Sequence, residues 1–220
     1  MTVERAILFI DGNNWYHGIK HSGVDHLRQL SYPKIAAKLV GPAREWIGTR
    51  YYIGRMNQAW SVQLAADQRS FLAAFEASDG ARHSVHYGRL EIRDVVSDAA
   101  DELATYLGSL KTQIDPKVFQ DLQSISQRYK TSKTQVEKAV DVMLAVDLVT
   151  MAQQNKFDTA YILSADGDYT HAADYVRGVV GPDGTNKKVF AAAASSGAQL
   201  AKVVNSFIRL QKPWFADVYK

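Results

Sequence analysis

Short runs of apolar residues recur along this 220-residue chain, separated by polar turns and amphipathic stretches. The runs are continuous rather than alternating, which is typical of strands buried on both faces of a parallel sheet. Amphipathic stretches with helical spacing lie between them, and this order predicts an α/β fold with a doubly wound parallel sheet flanked by helices. The predicted strands are 5–10, 49–53, 82–88, 159–164 and 187–193, and the predicted helices are 14–20, 33–40, 59–77, 140–154, 168–178 and a segment after Gly197.

The segment at about 97–135 breaks this order, because it shows two apolar stripes with helical spacing and no strand pattern. We predict a helical hairpin whose second helix begins after Asp115, with Asp115 as its cap and Pro116 in its first turn. No internal repeat or low-complexity linker marks a second independent domain in the sequence. The chain is therefore expected to form a single domain over 1–220 that carries this helical insertion.

Acidic residues directly follow two of the predicted strands. The first strand runs into Asp11, and the fourth ends in the segment 164–168, which contains Asp166 and Asp168. Right-handed crossovers place the carboxyl ends of parallel strands on one edge of the sheet, so Asp11 and Asp166 are expected to meet there. An acidic cluster of this kind suits a hard divalent cation, which supports phosphodiester chemistry. The simpler alternative is that Asp11 and Asp168 only cap a turn and a helix.

Two further acids lie on the predicted helix 140–154. Asp147 falls in a segment that is apolar nearly all round. Because an isolated carboxylate is costly to bury, we expect a metal ion at the sheet edge to be its partner. The alternative is a solvent-facing Asp147 near Lys138 or Thr150. Asp141 lies six residues earlier, which is about 240° around a helix, and it is expected to support the site as a cap or a more distant acid.

Two polar side chains near these acids complete the candidate site. Asn14, three residues after Asp11, is expected to reach back to the site or to cap the following helix. Ser164 is expected to hydrogen-bond an acid or to satisfy the end of its strand. No glycine-rich phosphate loop follows the first strand, so a nucleotide-cofactor site is not predicted.

The composition narrows the chemistry and the setting of the chain. It has no cysteine, which excludes disulfides, thiolate metal sites and cysteine nucleophiles. It shows no apolar run of roughly 18 residues and no secretory leader pattern, so we expect no membrane span and a cytoplasmic location. The formal net charge is +3, and residues 111–138 carry six Lys or Arg against three Asp or Glu. This basic region, with Arg128, Lys130, Lys133 and Lys138, is the surface expected to meet a nucleic-acid backbone.

Three separated motifs carry a resemblance to a known family. They are Phe-Ile-Asp-Gly-Asn-Asn at 9–14, Glu-Lys-Ala-Val-Asp-Val-Met-Leu-Ala-Val-Asp at 137–147 and Leu-Ser-Ala-Asp-Gly-Asp-Tyr at 163–169. In this order they resemble the NYN domain family, and more narrowly its bacterial LabA-like branch within the PIN-like ribonuclease superfamily. The resemblance implies a PIN-like, Rossmann-like three-layer sandwich whose acidic pocket binds Mg²⁺ or Mn²⁺ and cuts RNA.

The resemblance also implies a role for each candidate residue. The expected metal ligands are Asp11, Asp147, Asp166 and Asp168. Asn14 joins them as a catalytic residue that orients water or phosphate, while Asp141 and Ser164 support the site. The expected function is therefore that of a metal-dependent ribonuclease, an enzyme that hydrolyses RNA phosphodiester bonds and whose basic insertion follows the RNA backbone.

Two other functions stay open from the sequence. A catalytically silent RNA-binding or regulatory module would keep the pocket without turnover, and its helical insertion would bind a protein partner or a second copy of the chain. A small-molecule phosphohydrolase of the same fold would cleave simple phosphate esters and leave RNA intact. RNA cleavage by the wild type that is lost in Asp166→Asn would distinguish the ribonuclease from both.

Overall fold

The computed structural model describes residues 3–94, 98–130 and 132–220 of the chain. These residues form two compact units. The first comprises Met1–Arg89 with Lys138–Lys220, and the second is Leu90–Glu137, which spans the whole segment 97–135 expected as an insertion. Within the described ranges, no helix is both long and apolar enough to cross a membrane.

The described residues form seven strands and seven α-helices. The strands are β1 (Glu4–Asp11), β2 (Arg44–Arg55), β3 (His83–Asp94), β4 (Lys133–Lys138), β5 (Thr159–Leu163), β6 (Lys188–Ala193) and β7 (Ser206–Arg209). The α-helices are α1 (Gly12–His21), α2 (Tyr32–Val40), α3 (Val62–Ser78), α4 (Asp98–Leu110), α5 (Pro116–Lys130), α6 (Val140–Gln153) and α7 (Thr170–Arg177). Short 3₁₀ helices lie at Leu27–Gln29, Gly167–Tyr169, Leu200–Lys202 and Lys212–Phe215.

The strands form one sheet in the order β4-β3-β2-β1-β5-β6-β7. The neighbours from β3 to β7 run parallel, and Ile10 of β1 lies between Tyr51 of β2 and Leu163 of β5. The chain builds outwards from β1 through β2 and β3, and then returns to add β5 on the other side of β1. The strand order therefore reverses between β1 and β5, which is where open α/β sheets bind ligands. The predicted doubly wound parallel sheet is confirmed.

Helices cover both faces of the sheet in the first unit, and each face has its own core. Leu8 and Ile10 point into a core with α1, α2 and α3, whereas Ile7 and Phe9 point into a core with α6 and α7. This alternation is the two-residue period of a β-strand, and it places the next residue, Asp11, on the α6 side of the sheet. The strand is buried on both faces, as its continuous apolar run predicts.

Local sequence signals set the ends of the helices that cover one face. Ser31 and Ser61 precede α2 and α3, and their hydroxyls accept hydrogen bonds from backbone N–H groups in the first turn of each helix. Gly41 ends α2 with a φ of 69°, a left-handed conformation that glycine adopts at little cost.

The second unit contains the predicted helical hairpin, formed by α4 and α5. Asp115 caps α5, since its Oδ1 atom accepts hydrogen bonds from the backbone N–H groups of Lys117 and Val118 at 2.9 and 3.2 Å. Within the hairpin, the buried Ser126 hydroxyl donates to the Ala100 carbonyl at 2.8 Å. The predicted hairpin is therefore confirmed over its described residues, which leave out residues 97 and 131.

Two predictions at the edges of the sheet are wrong. The segment 97–135 was expected to hold no strand, yet β4 begins at Lys133. The segment after Gly197 was expected to be helical, yet it forms only a 3₁₀ helix before β7. Both missed strands lie at the ends of the strand order. An edge strand is short and partly exposed, so it lacks the continuous apolar run that identified the inner strands.

Candidate active site

Asp11 lies at the end of β1, where the strand order reverses, and is 3% exposed. Its Oδ1 atom accepts a hydrogen bond from the backbone N–H of Asn14 at 3.2 Å, so Asp11 caps α1. Its Oδ2 atom accepts hydrogen bonds from the hydroxyls of Ser164 and Tyr169, both at 3.1 Å. One carboxylate thus caps a helix and also joins the end of β1 to the loop that follows β5.

The pKa of Asp11 reflects this position. It is raised from 3.8 to about 6, chiefly because the buried ionised carboxylate loses its hydration. The negative charge of Asp141 contributes to this rise, whereas the hydrogen bonds from Asn14, Ser164 and Tyr169 oppose it. A cation beside Asp11 would favour its ionised form.

Tyr169 connects Asp11 to Asp141. Its side chain is buried, and its hydroxyl lies 3.1 Å from Asp11 Oδ2 and 2.9 Å from Asp141 Oδ1. A hydroxyl carries one proton, so it donates to one of these oxygens at a time. Burial and the two neighbouring carboxylates raise the pKa of Tyr169 far above its usual value, so the phenol stays protonated. The arrangement places two acids around one donor at the edge of the sheet.

Ser164 and Asn14 hold the two loops together. The Ser164 hydroxyl is buried; it donates to Asp11 and accepts a hydrogen bond from the Asp166 backbone N–H at 3.1 Å. Asn14 Oδ1 accepts a hydrogen bond from the Ala165 backbone N–H at 3.0 Å. Asn14 therefore reaches across to the loop after β5, and Ser164 forms a hydrogen bond with an acid. In both cases this is one of the two alternatives that the sequence predicted.

Asp166 and Asp168 lie at the start of the 3₁₀ helix Gly167–Tyr169. Asp166 caps this helix, because its Oδ1 atom accepts a hydrogen bond from the Asp168 backbone N–H at 3.0 Å. The capping role considered for Asp168 thus belongs to Asp166. Asp168 itself is exposed, and Asp166 is half-buried, one hydroxyl away from Asp11 through Ser164.

Asp147 has a different partner from the one expected. Its Oδ2 atom accepts hydrogen bonds from Arg50 Nη2 at 2.7 Å and from the Tyr52 hydroxyl at 2.8 Å. Partial burial raises the pKa of Asp147, but the contacts with Arg50 and Tyr52 outweigh burial and lower it overall. His86 stacks on Tyr52 with ring centroids 4.9 Å apart. Arg50 of β2 thus supplies a cation beside Asp147 within the chain, which the sequence analysis did not predict.

The expected acids do not all come together. Over 3–94, 98–130 and 132–220, no group of three or more His, Asp or Glu side chains is arranged to hold a metal ion. The structure joins the carboxylates of Asp11 and Asp141 through a tyrosine, links only the backbone N–H of Asp166 to Ser164, and places Asp147 in a separate ion pair. The ligand roles of the expected four acids stay a prediction.

The basic residues expected to follow a nucleic-acid backbone belong to different units. Arg128, Lys130 and Lys133 lie in the second unit, whereas Lys138 begins the return to the first. Lys130 forms an ion pair with Asp101 of the hairpin at 2.7 Å. Arg128 and Lys133 are exposed and Lys138 is half-buried. Their binding to RNA stays a prediction.

Sequence reasoning missed two residues of this edge. Tyr169 was assigned only to a helix start, although a tyrosine directly after an acidic strand end is a donor well placed for those acids. Gly12 was assigned only to a turn. A Cβ at Gly12 would lie 2.4 Å from Tyr51 Cε1 and 2.8 Å from the Tyr52 carbonyl oxygen, so only glycine fits between Asp11 and β2.

Comparisons with known proteins agree with this fold. A crystal structure of a protein of unknown function from Vibrio parahaemolyticus is similar over 98% of this chain and 95% of that one, with a TM-score of 0.50 and 14% sequence identity. At this identity the similarity shows the fold alone. No curated protein has a significantly similar sequence. The NYN domain profile matches residues 5–211, which include both acids joined by Tyr169. The chain therefore belongs to the NYN domain family.

Proposed function

We propose that this chain is a metal-dependent ribonuclease that hydrolyses RNA phosphodiester bonds beside Asp11 and Asp141. The observation that carries the proposal is the buried Asp11, which lies at the reversal of strand order and faces a second acid across the Tyr169 hydroxyl. The NYN domain indicates a PIN-like nuclease fold. The RNA substrate and the metal dependence go beyond this family match and are our proposal.

The donors at this edge fit Mg²⁺ or Mn²⁺. Proteins commonly hold Mg²⁺ with one or two carboxylates and leave several of its waters in place, so two acids suffice. Asp11 and Asp141 are the residues that would hold the ion. The pKa of Asp11, raised by burial and by Asp141, belongs to a carboxylate that gains from a nearby cation. A ligand role for Asp166 and Asp168, as expected from the sequence, stays a prediction.

The residues of the chain prepare this edge for hydrolysis. A divalent cation bound there supplies a water of lowered pKa and neutralises charge on the scissile phosphate. Ser164 and Tyr169 orient Asp11 by donating two hydrogen bonds to its Oδ2 atom. Asn14 holds the loop that carries Asp166 by accepting a hydrogen bond from Ala165. These residues hold Asp11 and Asp141 close together. The raised pKa of Asp11 shows that this arrangement costs free energy when Asp11 is ionised.

We assign Asp147 a positioning role instead of the metal-ligand role expected from the sequence. Its carboxylate already meets the Arg50 guanidinium, so a second cation would have to compete with an ion pair in place. Asp147 also lies six residues beyond Asp141 on α6, which is about 9 Å along the helix axis. Its contacts hold Arg50 and Tyr52 beneath α6.

Cleavage of single-stranded RNA tests the proposal. The wild type is expected to cleave RNA with Mg²⁺ or Mn²⁺ and to stop when EDTA is added. Asp11→Asn and Asp141→Asn each remove a ligand and are expected to lower the rate about 100-fold. The matched control is Asp174→Asn, which changes an exposed acid on α7 and should cleave like the wild type. Circular dichroism of each variant confirms that it is folded.

Each other outcome identifies a different function. Equal cleavage by the wild type, Asp11→Asn and Asp141→Asn would rule out this site. RNA binding without cleavage by the wild type would favour the silent binding module. Hydrolysis of simple phosphate esters with intact RNA would favour the phosphohydrolase. A folded Asp147→Asn variant as inactive as Asp11→Asn would return Asp147 to the metal ligands.

A further inference from the structure

We infer that a cavity beside the acidic edge binds one unpaired base of the RNA strand. The cavity has a volume of about 230 Å³ and lies between α1, α3 and β2; its lining includes Trp15, Tyr16, Tyr32, Tyr51, Leu64 and Phe71. We call it the aromatic cavity. The inference rests on the proposed function, because it concerns the RNA strand cleaved at Asp11 and Asp141.

The walls of the aromatic cavity are rings that pack against one another. Tyr32 and Tyr51 pack edge to face with centroids 5.9 Å apart. Phe71 packs against both, at 6.1 Å from Tyr32 and 5.9 Å from Tyr51. Phe75 supports Tyr32 and Tyr51 from behind at 5.0 and 5.2 Å. A rigid aromatic cavity loses little side-chain entropy when a flat ring enters it.

The mouth of the aromatic cavity opens to solvent and carries Arg28, which is paired with Asp67 of the same lining, and Lys20 lies beside it. Tyr16 is 44% exposed and Leu64 is 47% exposed, although both line the cavity. Arg28 lies at the same mouth and donates to Asp67 at 2.8 Å, with its side chain 69% exposed. Lys20 lies over the Tyr16 ring at 5.8 Å. An apolar interior behind Lys20 and Arg28 matches a nucleotide, whose base is a flat ring and whose phosphate is an anion.

The backbone from Asp11 to Trp15 connects the acidic edge to the aromatic cavity. Gly12, which directly follows Asp11, packs against Tyr51 in the wall of the cavity. Trp15 lies one helical turn after Asp11 on α1, with Asn14 between them. The cavity and the two acids are on opposite faces of the sheet but at the same edge of it. An RNA strand whose phosphate lies at Asp11 would therefore cross this edge of the sheet to place a base in the aromatic cavity on the other face.

This geometry favours single-stranded RNA as the substrate. A base inside a duplex is stacked and paired, whereas an unpaired base can turn out and stack on protein rings. Stacking on aromatic rings accepts all four bases, so the cavity would select for unpaired nucleotides more than for sequence.

The test measures binding without turnover, so it does not depend on ribonuclease activity. Fluorescence anisotropy in EDTA compares labelled decauridylate with a ribose-phosphate oligomer of the same length and charge that lacks bases. The wild type is expected to bind decauridylate at least about fivefold more tightly. Tyr16→Ala, which removes a ring at the mouth, and Leu64→Glu, which adds a charge there, should each reduce this ratio toward one.

Two matched controls separate the cavity from general effects. Tyr175→Ala removes a tyrosine of similar exposure on α7, and Val62→Glu adds the same charge two residues earlier on α3. Both lie outside the cavity lining and should keep the wild-type ratio. Equal binding of the two oligomers by the wild type would overturn the inference and leave the cleavage assay unaffected. Uridine monophosphate or double-stranded RNA that binds as tightly as decauridylate would also overturn it.

Discussion

Asp11 and Asp147 are two acids between the sheet and α6 with opposite electrostatic surroundings. Asp11 is buried beside a second acid, and burial together with that charge raises its pKa to about 6. Asp147 is partly buried as well, but it meets the Arg50 guanidinium at 2.7 Å and its pKa is lowered overall. Asp147 has a cationic partner within the chain, whereas the described contacts of Asp11 include no cation.

The difference separates an acid that stabilises the fold from an acid that is kept for chemistry. An ion pair such as Asp147 with Arg50 satisfies both charges within the protein. A carboxylate such as Asp11 costs stability when ionised, and binding sites often show such perturbed pKa values. The comparison therefore predicts opposite responses to neutralising the two acids.

Neutralising Asp11 gives the largest expected effect on stability. Its pKa is about 6 in the folded state against 3.8 for the free side chain. The folded state thus binds the proton more tightly, and Asp11 costs stability progressively as the pH rises from about 4 to above 6. At pH 8 without metal, Asp11→Asn is expected to be more stable than the wild type by about 3 kcal/mol. Urea unfolding in EDTA measures this difference.

The pH dependence distinguishes this cause from a change in packing. At pH 4 the folded wild type already holds the proton, so the advantage of Asp11→Asn should largely disappear. The exposed Asp174→Asn variant supplies the baseline at both pH values. An advantage of the same size at pH 4 and pH 8 would show that burial of the Asp11 charge is not its source.

The sequence predicted one side of this comparison better than the other. Asp11 could be placed, because an apolar run that ends in an acid marks the carboxyl end of a strand and parallel topology then fixes the edge. The partner of Asp147 could not, because Arg50 lies 97 positions away on a strand whose polar residues showed no pairing pattern. Asp141 was ranked below Asp147 for a similar reason. The helical angle between the two acids shows that they point in different directions, but it does not identify the one that faces Tyr169.

The strands of the sheet also differed in how well the sequence predicted them. The inner strands β1, β2, β3, β5 and β6 were predicted; the signal was clearest for β1 and β5, because burial on both faces requires apolar residues at consecutive positions. The edge strands β4 and β7 were missed, because pairing on one side makes no such demand on sequence.

Removing Arg50 is expected to give the next largest effect, with the opposite sign to Asp11→Asn. Arg50→Met leaves the Asp147 carboxylate partly buried without its cation, although the hydrogen bond from Tyr52 stays. We expect a loss of about 2 kcal/mol in the free energy of unfolding, because both side chains are partly exposed and solvent offsets part of the charge. Urea unfolding at pH 7 measures the loss.

A double variant tests whether the Arg50 effect comes from the unpaired charge. Arg50→Met with Asp147→Leu removes both partners, and it should recover most of the lost stability. Additive losses in the double variant would show that Arg50 and Asp147 do not interact energetically.

Metal binding sharpens the comparison between the two acids of α6. Mn²⁺ should raise the unfolding temperature of the wild type and of Asp147→Asn, because the ion binds the folded state. Each protein is compared with its own metal-free form. Asp141→Asn removes a ligand, and a tenfold weaker affinity corresponds to about 1.4 kcal/mol less stabilisation at high metal concentration. Thermal unfolding across a Mn²⁺ titration measures both. A shift lost in Asp147→Asn and kept in Asp141→Asn would reverse the assignment.

Tyr169→Phe gives the smallest expected effect and tests the link between the two acids. The variant keeps the ring but removes the hydroxyl that lies 3.1 Å from Asp11 and 2.9 Å from Asp141. A lost hydrogen bond of this kind costs about 1 kcal/mol of stability. Since the hydroxyl stabilises the ionised form of Asp11, its removal should raise the pKa of Asp11 further. A carboxyl-carbon NMR titration measures this pKa, and an unchanged or lower value would show that Tyr169 does not stabilise the charge on Asp11.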